Sequence, residues 1–283
     1  ARGASINHQL QVCWRPTQIR RSRGVKMKIQ VKMTIALCGL VFLFTSPFAY
    51  TQEATSGDDA WQFHVIPYIW MSGISGHVTV KGSRASVDES FSDILKNLDV
   101  AGFLHLEAAK GKWALFGDGT YVKLSVDRTL IDVGSELALV ELGGAYRFAE
   151  LPLGKDGKWV LSFEALAGGR YNYVKSEVEI LSLLKSKQSQ DWVDPIVGVR
   201  FTAGLTEKLS FRVRGDIGGF GIGSASDFAW NVVAFLGYQL SRRITFGVGW
   251  RILDIDHKKG SGRRRFEYDV TTSGPVVGLA FRF

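Results

Sequence analysis

An all-β fold, a transmembrane antiparallel β-barrel of about ten strands, is what this 283-residue sequence predicts. Three observations carry the prediction. Ten segments alternate apolar with small or polar residues at period two, each about as long as a tilted membrane strand needs. After residue 51 there is no apolar run long enough for a spanning helix, so a membrane protein built from this chain must cross with strands. The last eight residues set Val277, Leu279, Phe281 and Phe283 on one face against Gly278, Ala280 and Arg282 on the other.

The amino-terminal part reads as an address, not as fold. Residues 1–26 open without Met and carry Arg2, Arg15, Arg20, Arg21, Arg23 and Lys26 with no acid. They are expected to be an upstream extension, outside the true protein, with the start at Met27 or Met33. A mitochondrial presequence is also Arg-rich and acid-free, but it would not explain the apolar stretch that comes next in the chain. Residues 27–51 have a basic start (Lys28, Lys32), an apolar stretch from Ile35 to Phe44, Pro47, and a small-residue site at Ala49-Tyr50-Thr51. That is the layout of a secretory signal peptide. Cys38 would suggest a lipid anchor, but Leu37 is too bulky for that processing site. The barrel domain is therefore expected over residues 52–283.

Composition changes once that segment is set aside. The chain has 35 Lys+Arg and 27 Asp+Glu; residues 1–51 hold eight of the bases and no acid, leaving 27 of each. The basic character, which might have pointed to nucleic acid, belongs to the discarded part, and no nucleic-acid partner is expected. Both cysteines, Cys13 and Cys38, go with it. The rest can form no disulfide and no thiolate metal site.

The alternating segments fall near 60–72, 101–110, 113–125, 135–148, 158–174, 191–205, 208–219, 228–240, 244–256 and 266–283. Gly111-Lys112, Thr206 to Lys208 and Ser241 to Arg243 are tight turns, and 149–157 is a Pro/Gly loop. The connections 73–100, 126–134, 175–190, 220–227 and 257–265 are longer and polar. If both ends lie on one side, the strand number is even and the short turns come after strands 2, 4, 6 and 8, as they do. Treating Gly76 to Gly82 as an eleventh span would break this parity, so that stretch is assigned to the first long loop. Eight or twelve strands are the alternatives. Within that loop Ser90 can cap a helix, and Phe91, Ile94, Leu95 and Leu98 recur at helical spacing, predicting a short amphipathic helix over 91–98.

The two faces differ in chemistry. Trp159, Tyr171, Tyr173, Trp230, Tyr238 and Trp250 fall on the outward face, where interfacial aromatics belong. Inward fall Glu107, Asp118, Glu141, Glu164, Asp194 and Asp216, with Arg147, Arg170, Arg200, Arg212, Arg214, Arg251 and Arg282. Charges at strand centres are costly against lipid, so they must face the lumen and pair. Arg is the expected partner because its fork takes carboxylates bidentately. A barrel this small, so lined, reads as filled rather than as a wide pore. With Glu107 and Asp118 inward, Phe103 and Phe116 must point inward as well.

The closing strand resembles the terminal assembly signal of bacterial outer-membrane β-barrels, which has a glycine five residues before a final aromatic and another aromatic two before it. Gly278, Phe281 and Phe283 fit; Val276, where the signal usually carries a polar residue, departs from it. The resemblance is to a small Gram-negative outer-membrane barrel in the size class of the OmpA, OmpW and omptin proteins. It implies location in the outer membrane and insertion by the barrel-assembly machinery. It also implies contact with outer-membrane lipid and lipopolysaccharide as a monomer. The expected role is structural or binding, or limited permeation of small solutes, with a selective small channel as one alternative. The other is a barrel enzyme using Asp254, Asp256 and His257 at the rim, since an acid-flanked His can act as a general base. The omptin-type dipeptides are absent, as are Gly-x-Ser-x-Gly, Walker and zinc patterns. No catalytic residue, metal or cofactor is expected.

Overall fold

Alternation at period two lets each strand show one face to lipid and the other to the interior, and a sheet built this way leaves no unpaired edge only if it closes. The computed structural model, described for residues 60–80, 82–128, 131–153, 159–180 and 184–283, shows that closure. The strands are β1 (Gln62–Trp70), β2 (Gly73–Val80), β3 (Ser83–Glu89), β4 (Leu98–Lys110), β5 (Trp113–Arg128) and β6 (Ile131–Leu153). They continue with β7 (Trp159–Ile180), β8 (Leu184–Gly204), β9 (Leu209–Gly218), β10 (Phe228–Gln239), β11 (Ile244–Lys259) and β12 (Phe266–Arg282). One helix, α1 (Phe91–Lys96), precedes β4. β1 pairs with β4 on one side and β12 on the other, so β1 and β4 to β12 form a closed antiparallel ring of ten strands. Mutual hydrogen bonds between Phe63 and Phe283 complete the seam at the short-turn end.

β2 and β3 are a hairpin outside the ring, where the sequence predicts a loop. β2 resumes along β12 where β1 stops, pairing Gly73 with Ser273 and Thr79 with Glu267. Its other edge takes β3, not β4. Pro67 marks the split, since it is the last β1 residue paired with β4 and has no N–H to continue that ladder. The expected loops 126–134 and 175–190 are also largely strand, because β6, β7 and β8 extend as long ribbons well past the length needed to span a bilayer. Their polar composition suggests loops, yet the backbone stays paired there, Asp127 with Asp132 and Lys175 with Ser189. The expected upstream extension and signal peptide lie outside the described residues.

The outer surface carries exposed Leu106, Leu115, Leu142, Val199, Leu236 and Val248. Near the short turns the outward face is aromatic, with Trp61, Phe63, Trp113, Phe148 and Phe283 exposed and Trp113 packed on Tyr146 at 4.6 Å. Tyr171, Tyr238 and Trp250 are also exposed, whereas Tyr173 and Trp230 are half-buried. Among the described residues no helix is long and apolar enough to cross a membrane.

Candidate functional site

Because inward residues recur every second position on strands in register, charges spaced along the sequence meet in layers across the barrel. The middle layer is densest. Register sets Asp118 beside Glu141 and Glu141 beside Arg170. Arg170 donates from Nε to Glu141 at 2.9 Å and from Nη2 to Asp216 at 2.6 Å. Arg214 reaches Glu141 at 2.8 Å and Asp216 at 2.9 Å. Arg251 bonds Asp118 and Glu141, each at 3.2 Å, and donates from Nε to Asn231 at 3.0 Å. Tyr68 donates to Asp118 at 2.9 Å, and Asn231 donates to Asp216 at 2.8 Å. Three carboxylates thus face three guanidiniums. Arg214 and Arg251 also lie 4.8 Å over the rings of Phe116 and Trp70.

Toward the short turns a second layer gathers Arg200 between Glu107 and Glu164. His105 bridges the layers, with Nδ1 3.2 Å from Asp118 and Nε2 3.7 Å from Glu107. Arg147, half-buried near the rim, lies 3.8 Å from Glu164 and 3.4 Å from Glu150. Arg212 joins neither an ion pair nor a hydrogen bond among the described residues. Arg282 is exposed and donates to the Arg242 carbonyl instead of entering a layer.

Toward the long-loop end, Asp194 has no cationic partner among the described residues. Its carboxylate accepts from Ser226 N at 2.7 Å, Ser226 Oγ at 2.9 Å, Asn172 at 2.8 Å and Trp192 at 3.2 Å. Ser226 belongs to the β9–β10 connection, which is tucked into the mouth with Ala225 and Ser226 buried. Gly219 allows that fold: φ is +86°, and a Cβ there would stand 2.4 Å from the Ser226 carbonyl oxygen. An apolar cluster including Trp70, Trp192, Leu253, Ile255, Phe266, Tyr268 and Val276 fills the same half of the lumen.

The rim arrangement considered for Asp254, Asp256 and His257 does not form. His257 sits on the inward face, buried, and stacks on Trp192 at 4.1 Å with the rings 4° apart. Asp254 and Asp256 share the opposite face of the same strand, as period two requires for positions an odd number of residues away. Proximity in sequence is separation across the sheet. At the closing strand, Val276 is buried in the apolar cluster, which accounts for its lack of polarity, while Phe281 lies on the outer face. A Cβ on Gly278 would lie 3.0 Å from that of Tyr68, so the glycine admits the tyrosine that bonds Asp118.

Sequence reasoning misses several participants in these layers: Tyr68, Asn172, Trp192, Ser226 and the inward role of His257. Asn172 is findable as the next inward position after Arg170. Ser226, from a loop, carries no periodic signal.

Closed ring, apolar outer belt and charge-paired interior together define an antiparallel β-barrel of the transmembrane type. Neither a family model nor a curated protein sequence matches the chain. Among solved structures, the attachment invasion locus protein Ail of Yersinia pestis is similar at 11% identity and a TM-score of 0.37, covering 80% of this chain and 99% of its own. The outer-membrane protease OmpT of Escherichia coli is similar at 8% identity and a TM-score of 0.47, covering 79% and 97%. Neisserial surface protein A aligns at 10% identity and a TM-score of 0.33, covering 79% and 97%. At such identities and scores the barrel class rests on this chain's own closure and faces.

Proposed function

We propose that the protein is a closed outer-membrane barrel with a structural or binding role, whose lumen resists the flow of solutes. The observation that supports this is the middle layer, in which Arg170, Arg214 and Arg251 lock Asp118, Glu141 and Asp216 across the interior. The apolar cluster and the inturned β9–β10 connection fill the lumen beyond it. Buried Arg–carboxylate groups held by several hydrogen bonds each are stiff, and opening a path would leave charges unpaired. The outward belt meets membrane lipid and lipopolysaccharide, insertion proceeds through the barrel-assembly machinery, and the barrel works as a monomer. Catalysis is not part of this reading, since His257 is walled against Trp192 and cannot meet Asp254 or Asp256. The test is planar-bilayer recording of the refolded protein. Small, rare conductance steps are expected; a large steady conductance overturns the closed lumen and favours a selective channel.

A further inference from the structure

The geometry points to a binding site for a small amphipathic carboxylate inside the short-turn half of the barrel, with Arg212 as its anion receptor and an apolar wall for its body. A cavity of about 260 Å³ lies beside the ion-paired layers. Besides the ion-paired Asp118, Arg200, Arg214 and Arg251 of the layers, its lining includes polar Arg212, His64 and Thr202 and apolar Ile66, Val233 and Phe235.

Partner accounting singles out Arg212. The carboxylates whose field it feels, Glu107 and Glu164, are already held by Arg200, and Arg147 also approaches Glu164. Arg212 is left with no ion pair and no hydrogen bond among the described residues. It is a fixed guanidinium, always charged, half-buried and lining the cavity. Its planar fork matches a carboxylate, and a charge inside a protein is stabilised by a partner of that kind. His64 adds a second observation on the same wall. Its Nδ1 is buried without a partner and can donate when it carries the proton. The volume falls just under the roughly 300–1,000 Å³ of small-molecule sites, which limits the guest to a small one. Phe235 and Val233 offer the surface against which an aromatic or short aliphatic body would pack.

This inference goes beyond the closed-lumen reading and is tested separately, by amide NMR of the refolded barrel titrated with sodium benzoate at constant ionic strength. Saturable shifts are expected around Val233, Phe235 and Thr245. Benzamide, the same shape without the charge, should bind at least about tenfold more weakly, as a charge-assisted bidentate contact implies. Arg212→Met should weaken benzoate by a similar factor while keeping the heat-modifiable band of the folded barrel, and Arg212→Lys should retain part of the affinity. Should Arg212→Met fail to fold, Phe235→Trp, which fills the cavity from its apolar side, must weaken benzoate instead. Absence of saturable shifts, equal affinity in Arg212→Met, unchanged affinity in Phe235→Trp, or inorganic phosphate binding as tightly as benzoate each overturns the assignment. A barrel that conducts yet binds benzoate through Arg212 overturns the closed lumen and supports this site.

Discussion

At the scale of the residue, Glu141 is the hinge of the lumen. It accepts from Arg170, Arg214 and Arg251 and is almost fully buried. Removing it leaves three guanidiniums facing two carboxylates among buried side chains. We expect Glu141→Ala to destabilise the barrel by about 3–5 kcal/mol, the cost of breaking a buried pair from one side. Urea unfolding in lipid vesicles measures it, and a loss below about 1 kcal/mol, the level of surface pairs, would show that the network is solvated. By contrast Lys96 and Asp93 form an exposed pair on α1, and deleting Lys96 should leave global unfolding unchanged.

At the scale of the element, prolines and one helix show how local chemistry punctuates the ring. Pro67 ends the β1–β4 ladder, Pro195 accepts from Gly219 where β9 stops, and Pro275 accepts from Met71 in the break between β1 and β2. Each is a residue that cannot donate, placed where a ladder changes partner. Helix α1 starts at Ser90, whose hydroxyl accepts from the Asp93 N–H. Hydrogen bonds from Lys96 and from the Ser90 hydroxyl hold the Asp93 carboxyl below its ordinary range. A depressed carboxylate contributes stability at neutral pH and loses it as pH falls through the folded value. Amide-exchange protection of 91–96, corrected for intrinsic rates, should therefore fall on acidification past the ordinary carboxylate range, and Asp93→Asn should remove that dependence. Persistence of the same pH profile in Asp93→Asn would assign it to another group. At the seam, Gly278→Val should impair folding of the barrel, because the added side chain meets Tyr68 and the Pro67 carbonyl; electrophoretic mobility of the unheated protein reports it.

At the scale of the whole molecule, the barrel sorts its aromatics between two solvents. Trp113 and Trp250 are 66% and 51% exposed, while Trp70 and Trp192 are 4% and 2% exposed inside. In vesicles containing brominated lipid, single-tryptophan variants retaining Trp113 or Trp250 should be quenched, and those retaining Trp70 or Trp192 should not. Equal quenching of all four would mean that the outward face is not the lipid face.

Sequence alone made a barrel of about ten strands the leading reading, with eight or twelve as alternatives, and the structure closes it at ten. Alternation, tight turns and parity favour an even number near ten, because the pleat forces period two and a membrane forbids an open edge. It also placed α1 within two residues of its observed end, since a cap and helical spacing are local signals. What it could not decide was which inward side chains meet. Asp194 was expected among the charge pairs, yet a serine from a loop, an asparagine and a tryptophan satisfy it. The hairpin β2–β3 read as loop, because counting it as a span would break the even strand number, whereas in the structure it lies outside the ring, paired to β12 with Ile74, Val78 and Val80 packed against the apolar cluster. His257 beside two aspartates resembled a site until the pleat turned it the other way. Arg212 looked like one more paired arginine, and only the closed ring, by engaging Glu107 and Glu164 elsewhere, left it facing a cavity. Strand period is a property of the chain, but pairing across a lumen depends on register, tilt and the shape of the space enclosed, which exist only once the sheet has closed.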